Sequence, residues 1–240
     1  MASRAGERRD FLPTRWSLLQ RARSADSSEA RQALEELCRE YWFPLYAFAR
    51  RRGFDAHEAE DVVQGFLARL IEKDDLGSVS PEKGRFRSFL LAALQNFVAN
   101  WRAREQSLKR GGGARRVEFD IHEADARLGL VARDSEPPEL AFERAWAREL
   151  MQRCVADLEA EYRSSGRGPV FDALKTALQS SDYDVAAAVD ALGLTEGAVK
   201  VAVHRLRARF RERLRARIAE TVASASEVED ELNDLFRAVT

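Results

Sequence analysis

The sequence predicts an all-α protein made of two small helical domains joined by a flexible linker. Apolar residues return at three- and four-residue steps along most of the 240 residues, the period of an amphipathic helix. Ala, Leu, Arg and Glu are abundant and β-branched alternation is scarce, so propensity agrees with the period and no sheet is indicated. From residue 106 to 138 the pattern gives way to "KRGGGARR" and then to a mixed polar run ending in "RDSEPPEL", the composition of a linker. The expected organisation is a first domain over residues 1–105, a linker over 106–138, a second domain over 139–222 and an acidic extension over 223–240.

The first domain opens with a helical entry near Thr14 and then a strong amphipathic helix, "ARQALEELCREYWFPLYAFARRRG". Leu34, Leu37, Tyr41, Leu45 and Phe48 form its apolar stripe, Pro44 should kink it and Gly53 ends it. A capping box opens "DAHEAEDVVQGFLARLIE", with Asp55 accepting from the backbone of Glu58 and Glu58 reaching back. Val62, Val63, Phe66, Leu67 and Leu70 make the buried stripe of this second helix, which leaves Glu60, Asp61 and Gln64 pointing outward.

After the turn-rich "KDDLGSVSPEKG", a third helix, "RFRSFLLAALQNFVANWRARE", turns Phe86, Leu90, Ala93, Leu94, Phe97 and Trp101 inward. Its other face carries Phe89, Asn96 and Asn100, with Arg102 and Arg104 at the end. Asn is a poor helix-interior residue, so a pair one turn apart needs a reason. Aromatic, amide and guanidinium groups on one face suit single-stranded bases, by stacking, edge hydrogen bonds and backbone charge.

Helices resume near Glu139 with "ELAFERAWARELMQRCVADLEAEY", stop at "RSSGRG" and continue as "PVFDALKTALQ". In "DVAAAVDALGLTEGAVKVAVHRLRARF" one helix ends at about Leu192, Gly193 supplies a positive-φ turn and Thr195 caps the next helix. That is the grammar of a helix-turn-helix. On the second helix Val199, Val203, Leu206 and Phe210 face the first, and the opposite arc holds Gly197, Val201, His204 and Arg205, flanked by Lys200 and Arg207. Gly197 permits close backbone approach, Lys200, His204 and Arg205 can donate to base edges or phosphates, and Val201 can meet a thymine methyl. The arginines that follow suit phosphates, which add affinity without sequence information.

Charge supports a nucleic-acid partner only locally. The formal net charge is −1, yet Lys200, Arg205, Arg207, Arg209, Arg211, Arg213, Arg215 and Arg217 crowd one run, and Glu227, Glu229, Asp230, Glu231 and Asp234 follow soon after. With 45% hydrophobic and 33% charged residues the chain is neither fibrous nor membranous. No apolar run nears the ~18 residues of a membrane span, and "MASRAGERRDFLPTRW" has no signal-peptide core, so a cytoplasmic protein is expected. Cys38 and Cys154 read as small buried hydrophobes, and His57, His122 and His204 are too scattered to bind a metal, so no cofactor is expected. No nucleophile elbow, phosphate loop or catalytic carboxylate pair is present, which argues against an enzyme.

"EAEDVVQGFLARL", "GRFRSFLLAALQNFVANWR", a linker and "GLTEGAVKVAVHRLRARFRERL", in that order, resemble the two domains of extracytoplasmic-function sigma factors, the promoter-recognition subunits of bacterial RNA polymerase. The resemblance spans roughly residues 37–104 and 139–217. It implies a region 2 helical bundle and a region 4 helix-turn-helix, with core RNA polymerase and promoter DNA as partners. Glu60, Asp61 and Gln64 then match the surface that docks on the clamp helices of the β′ subunit. Phe86, Arg87, Ser88 and Phe89, with Asn96, Asn100 and Arg102, fall in the segment that melts and reads the −10 element. Glu196, Gly197, Lys200, Val201, His204 and Arg205, with Arg207 beside them, fall on the helix that reads the −35 element. The linker would run toward the RNA exit path.

Two departures limit what is inherited. Many relatives carry Ser where Val201 stands and Trp-Leu where this chain has Ser88-Phe89, so base preference does not transfer. The acidic "SEVEDELNDLF" lies outside the two-domain pattern. It is expected either to fold back on the arginines of the DNA-reading unit or to finish the domain through Val228, Leu232, Leu235 and Phe236. An anti-sigma factor or a regulatory kinase is a further expected partner. The rival function is a free-standing helix-turn-helix regulator, which has no use for the Glu60, Asp61 and Gln64 surface.

Overall fold

The computed structural model describes residues 18, 21–22, 27–72, 85–105, 120–131, 136–180, 182–222 and 224–239, and every regular element among them is helical. The entry near Thr14, the turn-rich stretch before Arg85 and the "KRGGGARR" part of the linker lie outside the described residues. No described helix is long and apolar enough to cross a membrane.

Helix α1 (Ser27–Arg51) continues unbroken through Pro44. From Tyr41 to Ala49 every residue is buried, so this helix is covered all round and not along a single stripe. Such burial requires neighbours on more than one side. Helix α2 (Ala56–Glu72) supplies one, and α5 (Pro138–Ser164) supplies the more extensive other. The expected capping box starts α2: Glu58 donates its backbone N–H to Asp55 Oδ1 at 2.8 Å, and Asp55 donates its own to Glu58 Oε2 at 2.9 Å. Helix α3 (Phe86–Glu105) lies close on α2 at Gly65, where an added Cβ would stand 2.8 Å from the Trp101 ring. Phe97 fills the seam, edge to face with Phe66 at 5.7 Å and 5.3 Å from Trp101.

The flexible linker is corrected in its second half. Residues Ile121–Val131 form helix α4, capped by Asp120, whose Oδ1 accepts from Glu123 N–H at 3.0 Å. It is tied to α1: Tyr46 Oη donates to Asp125 Oδ1 at 2.6 Å, Arg50 Nε donates to the same oxygen at 3.0 Å, and Arg127 lies 4.2 Å from the centroid of Phe43. A carboxylate fixed by an arginine and a tyrosine converts a polar, linker-like stretch into part of the body.

The two helical halves therefore share a core, and α5 is the common element. Its start meets α3, where Gln95 Nε2 donates to Glu139 Oε1 at 2.9 Å. Its middle meets α1 through Arg153 and Glu40 at 2.9 Å. Its last turns run beside the helix Glu196–Ala219, where Arg217 Nη2 donates to Asp157 Oδ2 at 2.8 Å. Helix α6 (Gly168–Leu174), a 3-10 turn (Lys175–Leu178), α7 (Val185–Leu192), α8 (Glu196–Ala219), a 3-10 turn (Ala225–Glu227) and α9 (Val228–Val239) complete the chain. Cys38 on α1 and Cys154 on α5 are buried, and desolvation pushes both thiols up to about 11.

Candidate nucleic-acid interface

The tight turn between α7 and α8 is built as its residue types dictate. Asp184 caps α7 by accepting from Ala187 N–H at 2.9 Å. Gly193 takes φ 63°, a left-handed conformation that only glycine adopts without cost, and returns its N–H to the Val189 carbonyl. Thr195 Oγ1 accepts from Ala198 N–H at 3.3 Å and starts α8. Val199, Val203, Leu206, Phe210, Leu214 and Ile218 bury one edge of α8 along its whole length. That anchoring fixes which residues face out.

On the outer face of the first half of α8, Glu196, Gly197, Lys200, Val201, His204 and Arg205 are all exposed, Val201 to 50%. A Cβ added at Gly197 would meet nothing within 4 Å, so the backbone there is open to approach. Lys200 Nζ pairs with Glu196 at 2.5 Å, which raises the lysine's pKa and lowers the glutamate's. Among the described residues no carboxylate pairs with His204 or Arg205. Arg207 is different. It donates through Nε to the Ala177 carbonyl and through Nη2 to the Ser180 carbonyl, both at 2.9 Å, and lies 5.6 Å from the Tyr183 ring centroid, so it braces α8 against the turn before α7.

The later arginines of α8 are also committed. Arg209 and Arg213 both pair with Glu161 of α5, and the Arg213 hydrogen bond holds the Glu161 carboxyl below its usual range. Arg217 pairs with Asp157, and Arg215 Nε donates to Glu229 of α9 at 2.8 Å. Most of the charge of this later run, read in sequence as phosphate-facing, meets carboxylates of the chain itself. Sequence reasoning missed it because Asp157 and Glu161 lie some fifty residues upstream, on a helix that only the fold sets alongside.

On α2, Asp61 is exposed and Glu60 and Gln64 are half-buried, with Gln64 Nε2 donating to Glu60 Oε1 at 2.9 Å. Ser88, Asn96 and Asn100 are exposed on α3, and Phe89 is half-buried. Asn100 Nδ2 donates to the Asn96 carbonyl at 2.8 Å, a local reason for an amide pair one turn apart. The side chain of Arg102 lies outside the described residues. Two expected strand-facing groups are instead interior. Phe86 is fully buried, 5.4 Å from the Tyr41 ring, and Arg87 is 5% exposed, 4.7 Å from the Trp146 ring and paired with Glu143 and Glu231.

Residues 37–108, which contain most of α1 and all of α2 and α3, match the family model of Sigma-70 region 2. The segment that holds the α1–α3 bundle is thus similar to sigma-70 region 2. No curated protein and no solved structure matches the chain.

Proposed function

We propose that this chain is an RNA polymerase sigma factor of the extracytoplasmic-function type, a non-enzymatic adaptor that gives core polymerase its promoter specificity. The observation that carries the reading is the coincidence of the sigma-70 region 2 match with the α1–α3 bundle, which presents an acidic and amide ridge on α2 and exposed asparagines on α3. Glu60, Asp61 and Gln64 form the docking ridge for the clamp helices of the β′ subunit. Ser88, Phe89, Asn96 and Asn100, with Arg102, face the melted −10 strand, while Phe86 supports that helix from inside.

The second half then selects the −35 element. Helix α8 enters the major groove by its N-terminal half, with Glu196, Gly197, Lys200, Val201, His204 and Arg205 toward the bases and Arg207 holding the helix in place. An anti-sigma factor or a regulatory kinase fits as the controlling partner, and the protein works in the cytoplasm beside the polymerase.

The test is recovery of core polymerase on the immobilised chain. Asp61→Lys reverses one charge on the exposed ridge, so it should abolish recovery while circular dichroism is unchanged. Equal recovery by both chains overturns the docking assignment, and absence of run-off transcripts from the DNA upstream of its own gene overturns the function.

A further inference from the structure

Helix α3 begins with Arg85, Phe86 and Arg87 and has no acidic residue in its first turn, where carboxylates are normally favoured by the helix dipole. The C-terminal helix supplies them. Glu231 of α9 is 0% exposed, and its carboxylate accepts from Arg87 Nε at 2.5 Å and Arg87 Nη2 at 2.8 Å while pairing with Arg85 Nη1 at 2.7 Å. Asp234, one turn on, pairs with Arg85 as well, and that bond holds the Asp234 carboxyl below its usual range. The backbone contributes too: Phe86 N–H donates to the Thr221 carbonyl at 3.2 Å, so the connection from α8 to α9 closes over the end of α3. Val228, Leu232 and Leu235 seat α9 on α5 and α8.

The geometry points to α9 as an autoinhibitory clasp, in which Glu231 and Asp234 occupy Arg85 in place of a phosphate of a single DNA strand. This rests on the reading of α3 as a strand-facing helix. A guanidinium group at the start of such a helix is suited to a phosphodiester backbone. Arg85 is already filled by the two carboxylates of α9, while Arg87 lies inside against Trp146, shared between Glu231 of α9 and Glu143 of α5. The docking ridge on α2 is not covered in this way, since Asp61 is exposed. Polymerase can therefore be engaged while Arg85 is still held, and strand capture requires α9 to let go of it.

The experiment compares three full-length chains: the unaltered protein, Glu231→Gln/Asp234→Asn, and Glu227→Gln/Glu229→Gln. The last removes the same charge from the same segment, but its Glu229 faces Arg215 of α8 and not α3. Each is titrated with a fluorescein-labelled 20-nucleotide single-stranded DNA of mixed sequence at fixed salt. The clasp variant should bind at least tenfold more tightly than the unaltered chain, and the control variant within about twofold of it. Equal affinity of the two variants overturns the clasp, as does failure of all three to bind. Recovery of core polymerase by the same chains separates the two ideas: full recovery beside unchanged DNA affinity removes the clasp and leaves the sigma-factor reading standing. Should the clasp variant fail to fold, hydrogen exchange of residues 228–239 in the unaltered chain decides. Saturating oligonucleotide should raise it severalfold, and unchanged protection overturns the proposal.

Discussion

The two halves of α8 both carry several basic residues and have different fates. Toward its N-terminus, His204 and Arg205 project from an anchored helix with no carboxylate against them among the described residues. Toward its C-terminus, Arg209, Arg213, Arg215 and Arg217 meet Glu161, Glu229 and Asp157. An arginine's role is thus set by what the fold lays beside it, and the first half keeps His204 and Arg205 for an anionic ligand. Surface ion pairs of the second kind add little each, but several on one helix fix how α5, α8 and α9 sit together.

The sharpest way to test this division is to weaken each half in turn. Leu214→Ala removes a fully buried side chain beneath the paired half and should cost about 2–5 kcal/mol in thermal or denaturant unfolding. Val201→Ala, on the open half, should stay within about 0.5 kcal/mol. A large effect at Val201 would mean that the open face packs on something.

Next in size is DNA affinity. Arg205→Ala should weaken binding to promoter duplex by roughly 1–3 kcal/mol with unchanged melting temperature. Arg213→Ala should lower the melting temperature and alter affinity less. Equal losses of affinity in the two variants would erase the distinction between the halves.

The smallest effect is the acid limb. Because the Arg213 hydrogen bond lowers the folded-state pKa of Glu161, its contribution is complete above the unfolded glutamate value, near pH 4.3, and is lost as the pH falls through the lower folded value. The melting temperature should be level between about pH 5 and 7 and fall below about pH 4, less steeply in Glu161→Gln. Parallel acid limbs in the two proteins would show that the pair contributes nothing.

Helix content was legible because period and caps are local. Asp55 with Glu58, and Gly193 with Thr195, stand where the pattern predicts, since each cap joins residues within a few positions of one another. The stripe of α1 was only half legible: Leu37, Tyr41, Leu45 and Phe48 follow the helical period, but Trp42, Phe43 and Tyr46 are buried by elements the period cannot reveal. Helix α4 was hidden by the linker-like stretches on either side of it, and its docking depends on Asp125 finding Tyr46 and Arg50 some 75 residues away. The acidic extension illustrates both outcomes. Its apolar positions Val228, Leu232 and Leu235 were read from spacing and are buried, but Phe236, read with them, is 40% exposed, and its buried carboxylate seeks Arg85 and Arg87 of the first half more than the arginines of α8 nearby. Phe86 carried two assignments in sequence and its burial matches the inward one, whereas Arg87 was read only as strand-facing and lies buried against Trp146.

The all-round enclosure of α1 also bears on how the protein is made. A ribosome releases Tyr41–Ala49 long before α5, whose first residue is Pro138, and at about 5–20 residues per second the interval lasts several seconds. During that time a sticky aromatic surface waits without its cover, so the nascent chain is a natural client for a holding chaperone. A stall in translation anywhere between the two helices would turn the waiting segment into a seed for aggregation.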